Sequence, residues 1–351
     1  MKLDAWHCAG WSRELGAAPI GRKLLGHYVV LFRDASGTAR ALGARCCHRG
    51  ADLARGTVVD GCIQCPFHGW RFEGAGKCVR VPSQPESMKI SPLARVPAYP
   101  LNERRGTVWI WMGDGETQRS EPPLDPVGPP GRSARRLFFE PRLIDAPSSN
   151  VLENFFDKAH VPFIHTGTFG SDQDPLVARQ RVTIDADRRG LHAEDDPDAS
   201  WRVEPKVPGG FIGVLGRLFF GLRTPVAQYT RFGVEAGAQL YIEYPNDTFD
   251  LFLAHITPAD ETQTWLFVES VRTRAPHVIG DWIQRRAIRK VFDEGARETT
   301  LILDSDPDGR TPPAVSVESD RLGIAARQLY ERWVDGAVAP EVVQPPPRRT
   351  Q

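Results

Sequence analysis

Residues 46–50 read CCHRG and residues 65–70 read CPFHGW. Each stretch holds one Cys and one His in a short loop. Cys46 and His48 are separated by one residue, Cys65 and His68 by two, and 16 residues lie between His48 and Cys65. Thiolate and imidazole at such spacing are metal donors, and two halves on hairpin-like loops make a four-ligand site. Structural zinc accepts two Cys and two His, but usually pairs Cys with Cys on one knuckle and His with His on the other. A [2Fe–2S] cluster with one iron on two Cys and the other on two His suits mixed halves better, because each loop then feeds both irons. On ligand types alone, both metals stay open.

The surroundings are β-type. HYVVLF (27–32), TVVDGCIQC (57–65), GKCVRV (76–81) and GTVWIWMG (106–113) are short runs punctuated by Gly, the pattern of a small antiparallel sheet domain. EPPLDPVGPPGR (121–132) then carries five prolines without periodicity and reads as a connector. Beyond it lie the strand RRLFFE, a helix from about 151, and the strands QRVTIDA, AQLYIEY, DLFLAHITP and TWLFVESVRT. A long helix over 278–304 and an amphipathic one over 319–335 follow. The reading is α+β: an all-β N-terminal domain over 1–120, a connector over 121–133, a second domain over 134–340 with helices on one face of an antiparallel sheet, and a tail over 341–351.

Composition narrows the class. The 351 residues are 41 % hydrophobic and 25 % charged, with zero formal net charge, as in ordinary globular chains. Zero charge argues against nucleic acid or an anionic membrane recognised by bulk charge. No apolar run approaches the roughly 18 residues needed to span a bilayer. MKLDAWHC lacks the apolar stretch of an export signal, so a cytoplasmic location is expected. The six cysteines then serve as ligands or small core residues rather than a disulfide framework.

A second cluster of donors sits in NVLENFFDKAHVPFIHTGTFG (150–170). Asn150 with Glu153 three residues on has the form of a capping box, which places a helix start at Asn150. Asp157 and His160 are three apart and would share a helix face. His160 and His165 are five apart, about 140° on a regular helix, so Pro162 is expected to break the ladder and let His165 turn back. Two histidines alone are equally well read as hydrogen-bonded core residues.

The letters C-C-H-R-G-A-D-L and C-P-F-H-G-W-R-F closely resemble the two ligand loops of Rieske iron–sulfur domains in ring-hydroxylating oxygenases. D-x-x-H-x-x-x-x-H, with Glu153 and Asn154 before it, is similar to the mononuclear iron motif of Rieske non-heme iron oxygenases. The resemblance covers nearly the whole chain, and is nearest to the homo-oligomeric aromatic O- and N-demethylase type. It implies a Rieske [2Fe–2S] domain followed by a helix-grip catalytic domain. Cys46, His48, Cys65 and His68 would be the cluster ligands, His160 and His165 the ligands of a mononuclear Fe(II), and Asp157, with Asn154 nearby, the bridge between the centres.

Respiratory-chain Rieske proteins carry a loop-linking disulfide, where this chain has Ala51 and Phe67, and a serine near a sulfur, where it has Trp70. Both departures imply a lower potential within the Rieske range.

A facial triad needs a third protein ligand, a carboxylate. In the family it lies late in the chain, where VFDEGARETTLILDSD (291–306) fits imperfectly and a Thr stands at the position expected for Asp. The apolar set Ile288, Val291, Phe292 and Ile302 with Gly295 defines a buried face. That places Glu298 nearest, Glu294 at the margin, and Asp293 and Asp304 pointing away. Glu298 is the expected ligand, with Glu294 and Asp304 next.

No G-x-G-x-x-G follows a strand, so a separate NAD(P)H-dependent reductase, with or without a ferredoxin, is implied. The resemblance also implies a homotrimer, O2 as co-substrate, and an apolar, aromatic or polycyclic small molecule hydroxylated or demethylated in a pocket between about 200 and 270. Phe219, Phe220, Tyr229, Tyr241, Phe252 and Trp265 are candidate walls. Two rivals stand beside this reading: the same iron chemistry turned to desaturation or ring closure, and a non-catalytic Rieske electron carrier with a ligand-binding domain.

Overall fold

A computed structural model describes residues 4–113, 121–122, 134–165, 175–199, 225–303 and 315–336, the side chains of 296–303 excepted. In the N-terminal part, β1 (Trp6–Trp11), β10 (Leu101–Arg104) and β11 (Thr107–Trp111) form a three-stranded sheet in the order β1-β11-β10. A four-stranded sheet orders β2 (Ile20–Leu24), β3 (His27–Arg33), β4 (Ala39–Gly43) and β9 (Ala98–Tyr99). A second four-stranded sheet runs β5 (Thr57–Val59), β6 (Cys62–Gln64), β7 (Arg71–Phe72) and β8 (Cys78–Arg80). All these strand pairs are antiparallel.

The C-terminal part is one eight-stranded antiparallel sheet. Its strands are β12 (Arg135–Phe138), β13 (Arg142–Ile144), β14 (Gln180–Ile184), β15 (Gly190–Asp195), β16 (Ala227–Gly233), β17 (Gly237–Tyr244), β18 (Thr248–Pro258) and β19 (Thr264–Arg272). The order is β12-β19-β18-β17-β16-β15-β14, with β13 also pairing with β19. Among the described residues four helices accompany it: α1 (Ser148–Phe156), α2 (Val161–Ile164), α3 (Val278–Leu303) and α4 (Arg321–Asp335).

Side chains alternate across a strand, and the alternation assigns the two faces. Ala254 and Ile256 of β18, Ala238 of β17 and Val268 of β19 pack with Leu152 and Phe156 of α1, Ile288 and Phe292 of α3, and Leu322, Ala326 and Leu329 of α4. The helices therefore gather on one face of the sheet, the expected α+β arrangement. The opposite face meets the N-terminal part. There Trp6, Trp11, Trp109 and Trp111 pack around Phe267, and losing one such indole costs about 3–5 kcal/mol.

Directional bonds fix the junction. Trp11 Nε1 donates to the Phe139 carbonyl at 2.7 Å, Thr257 Oγ1 to that of Cys8 at 2.9 Å, and Lys23 Nζ to Asp260 at 2.6 Å.

Two local expectations need correction. α1 begins at Ser148 with Pro147 as its N-cap and no side-chain cap, so Asn150 lies inside the helix. The helix also ends at Phe156, leaving Asp157 extended. Asp157 and His160 therefore do not share a helix face. The break comes before Pro162, which sits in the first turn of α2, where its missing N–H has no helical partner to lose.

Candidate functional site

The two Cys/His loops are built alike. Cys46 N–H donates to the Ala51 carbonyl at 2.9 Å, and Gly50 N–H returns to the Cys46 carbonyl at 2.8 Å. Cys65 N–H donates to the Trp70 carbonyl at 2.8 Å, and Gly69 N–H returns to Cys65 at 3.1 Å. Each turn closes on a left-handed residue, Gly50 at φ +73° and Gly69 at φ +70°. A side chain there costs about 1–2 kcal/mol, which is why both loops end in Gly.

The turns bury the thiols and present the imidazoles. Cys46 and Cys65 are 3 % and 2 % exposed, while His48 and His68 reach the surface with ring centroids 4.6 Å apart. Burial, with a smaller contribution from the neighbouring Cys65, pushes the Cys46 thiol up to about 11. Burial also lowers His48, with His68 and Arg49 adding repulsion. Two adjacent buried sulfurs and two adjacent imidazoles are the donor set a Rieske cluster needs, two ligands per iron. The residues fit the group.

The second set forms where α1 gives way to α2. The Asp157 carboxylate accepts the Ala159 N–H at 2.7 Å, an Asx-type turn that reverses the chain. His160 Nδ1 then lies 3.4 Å from Asp157 Oδ2. Burial opposes the charge on Asp157, but the His160 side chain and the Ala159 amide outweigh it, so the carboxyl stays below its ordinary value. His165 is 6 % exposed, and the His160 and His165 rings stand 5.2 Å apart. The carbonyl of Asn154 accepts the Asp157 N–H at 3.2 Å, holding the end of α1 against the turn.

The carboxylate set against these histidines is Glu294, whose Oε2 is 3.1 Å from His165 Nδ1. Its side chain is 14 % exposed, while that of Asp293 is 55 % exposed. The next residue, Gly295, also faces His165: a Cβ there would be in ordinary contact with His165 Cε1 at 3.8 Å. The side chain of Glu298 and all of Asp304 lie outside the described residues. Among the described residues no three such donors form a closed metal cage. His160, His165 and Glu294 are a loose set of the right chemistry, two imidazoles and a carboxylate.

Sequence reading missed Lys158. Its ammonium donates to Gln180 Oε1 at 2.9 Å and lies 3.5 Å from Asp195, pinning the Asp157 turn to β14 and β15. Burial pushes this amine down, against the pull of Asp195. It also missed Thr230, 4 % exposed, whose Oγ1 has no hydrogen-bond partner among the described residues. Thr230 pairs with Leu240 and that residue with Phe252, so all three stand on the helix-covered face.

Of the proposed pocket walls, Phe252 shares that face. Tyr229 and Tyr241 stack with Phe249 on the opposite face, and Trp265 packs toward the N-terminal part, donating to the Lys23 carbonyl at 3.0 Å. Phe219 and Phe220 lie outside the described residues.

Residues 5–100 match the Rieske [2Fe-2S] domain and residues 144–336 the vanillate O-demethylase oxygenase C-terminal domain. The chain belongs to the Rieske oxygenase family, in the group with this C-terminal domain, and the family's groups are a Rieske [2Fe–2S] cluster and a mononuclear iron.

Aminopyrrolnitrin oxygenase PrnD of Pseudomonas fluorescens is 34 % identical over 344 residues, covering 94 % of this chain and 91 % of that one. The chloroplastic protein TIC 55 of Arabidopsis thaliana is 38 % identical over 79 % of this chain and 49 % of its own. The chain thus spans about half the length of some curated relatives, also 52 % of a putative toluene-4-sulfonate monooxygenase iron-sulfur subunit from Comamonas testosteroni. In fold it is similar to dicamba monooxygenase bound to dicamba, with TM-score 0.76 at 21 % identity over 95 % of this chain and 97 % of that one. NdmA of Pseudomonas putida with caffeine gives 0.71 at 24 % identity, over 94 % and 89 %. Among the described residues no helix is long and apolar enough to cross a membrane.

Proposed function

We propose that the chain is the terminal oxygenase of a multicomponent Rieske non-heme iron system. Its reaction is O2-dependent hydroxylation or oxidative demethylation of an apolar, aromatic or polycyclic small molecule. One observation carries this reading: a single chain holds both the paired Cys/His loops and the His160, His165 and Glu294 set.

Cys46 and Cys65 would hold one iron of the cluster, and His48 and His68 the other. His160 and His165 with Glu294 would hold the mononuclear iron, and Glu298 is the alternative carboxylate. When bound, these groups supply one-electron storage and activation of dioxygen.

The protein's own part is positioning. Asp157 is kept ionised with His160 Nδ1 3.4 Å from its carboxylate, close enough to orient the ring by charge, while a third of its side chain stays exposed. That leaves it able to accept an N–H from a cluster histidine of a neighbouring subunit. The working unit is accordingly a cyclic homotrimer, since head-to-tail contacts of this kind close into rings. Electrons come from a separate reductase or ferredoxin in the cytoplasm. The substrate lies on the helix-covered face, where Leu240, Ile242 and Phe252 supply apolar area and Thr230 a hydroxyl. The aromatic ligands in the names of similar proteins, dicamba and caffeine, support that substrate class.

A metal assay and one variant test the reading. The purified protein should contain about three irons per chain, against about two for a cluster alone. Asp157→Asn should load both centres, yet slow electron transfer between them by orders of magnitude in single-turnover measurements. Stoichiometric zinc without acid-labile sulfide would sink the proposal.

A further inference from the structure

We propose that Trp70 is a positioning residue for His48, and through it sets the redox poise of the cluster. The inference rests on the reading of Cys46, His48, Cys65 and His68 as cluster ligands. The Trp70 indole lies parallel to the His48 imidazole, with centroids 4.6 Å apart and planes 2° from parallel. His68 meets the same imidazole at 66°. His48 is thus held on its face by one ring and in a T-shaped contact by another. His68 has a different neighbour, Phe67, tilted by 40° and 63 % exposed. The two imidazoles are chemically alike and mechanically unequal.

Trp70 is well placed to act as a fixed stop. Its carbonyl takes the Cys65 N–H, inside the turn that carries both Cys65 and His68. Its side chain packs against the core that contains Cys46 and Cys65. One residue therefore links the second loop to the histidine of the first.

Two thiolates and two neutral imidazoles leave an oxidised cluster neutral overall, and reduction makes it singly negative. Water reaching the imidazole stabilises the charged, reduced form and raises the potential. The indole opposes this by covering one face of His48, and it also stops the ring from rotating about its bond to iron. A flat side chain at position 70 does both jobs; a flexible one does neither.

The test compares the parent protein with Trp70→Phe and Trp70→Met, measuring iron and acid-labile sulfide, the EPR spectrum of the reduced cluster, and its midpoint potential. Trp70→Phe should keep the parent spectrum and potential. Trp70→Met, loaded to the same sulfide content, should show a raised potential and altered g-value spread. A fully loaded Trp70→Met protein with parent values, or with a lowered potential, overturns the proposal. So does a Phe variant displaced as far as the Met variant, because a flat face is then not what matters. Cluster loss in Trp70→Met alone supports the proposal, whereas loss in both variants overturns it in favour of indole bulk. A parent protein without acid-labile sulfide would instead sink the underlying cluster reading.

Discussion

The two candidate metal-binding regions are built on opposite plans. At the N-terminal tip four donors come from residues 46 to 68, on two turns with the same backbone hydrogen bonds. At the second site two histidines come from the α1–α2 segment, and the carboxylate beside them is 129 residues further on, across the packing of α3. The first region is specified mainly by local sequence, two turns seated on a core that includes Val30, Phe32, Leu42 and Phe72. The second site exists only when the sheet and helices are assembled, so its geometry depends on distant packing.

Breaking one donor at each site tests this contrast. Cys46→Ala should abolish acid-labile sulfide, the largest effect expected, while circular dichroism stays that of the parent and about one iron per chain remains. Co-loss of the mononuclear iron would show that the sites are not independent. Next, Glu294→Gln should weaken mononuclear iron binding at least tenfold, the scale on which even outer partners of metal ligands act. Glu298→Gln should leave it unchanged, with chelator competition as the measurement. The reverse pattern moves the ligand to Glu298.

The supporting ion pairs sharpen the comparison. On the sheet face that meets the N-terminal part, the Glu269 side chain is 0 % exposed, and Arg136 donates to both its oxygens, with His255 Nε2 3.5 Å away. Arg136→Ala leaves that carboxylate buried without its main partner and should cost about 3–5 kcal/mol in urea unfolding. At the tip, the exposed Arg55–Asp52 pair stands 3.7 Å apart, and Arg55→Ala should cost about 0–1 kcal/mol.

The smallest effect concerns the β3–β4 loop. The Ser36 hydroxyl, then Arg40 and the amides of Ser36 and Thr38, hold the Asp34 carboxyl at about 2, below its ordinary 3.8. A carboxyl depressed on folding stabilises the folded state above the ordinary value and loses that contribution as pH falls toward 2. Asp34→Asn should therefore flatten the fall in urea midpoint over that window. An unchanged slope would remove this loop from the account.

Legibility followed the same divide. The cluster loops could be read letter by letter, because the Gly that closes each turn and the paired donors all lie within a few residues. Five of the eight strands of the C-terminal sheet (β12, β14, β17, β18 and β19) and the helical identity of 278–303 were legible from periodicity, whereas β13, β15 and β16 were not. The start of α1 was not, since a box-like spacing at Asn150 gave no sign that Pro147 had already opened the helix. The carboxylate that faces His165, Glu294, was not ranked first by sequence, and the side chain of Glu298 lies outside the described residues. Helical geometry ranked Glu298 above Glu294 by distance from an apolar stripe. The contact of His165 with Glu294 is a tertiary fact that no helix-face argument contains.

The paired turns also decide which side of the first region meets solvent. Four main-chain hydrogen bonds and two glycines shape them, and they put the imidazoles of His48 and His68 at the surface with the Cys46 and Cys65 thiols behind. A chelator or oxidant in solution therefore meets nitrogen before it meets sulfur.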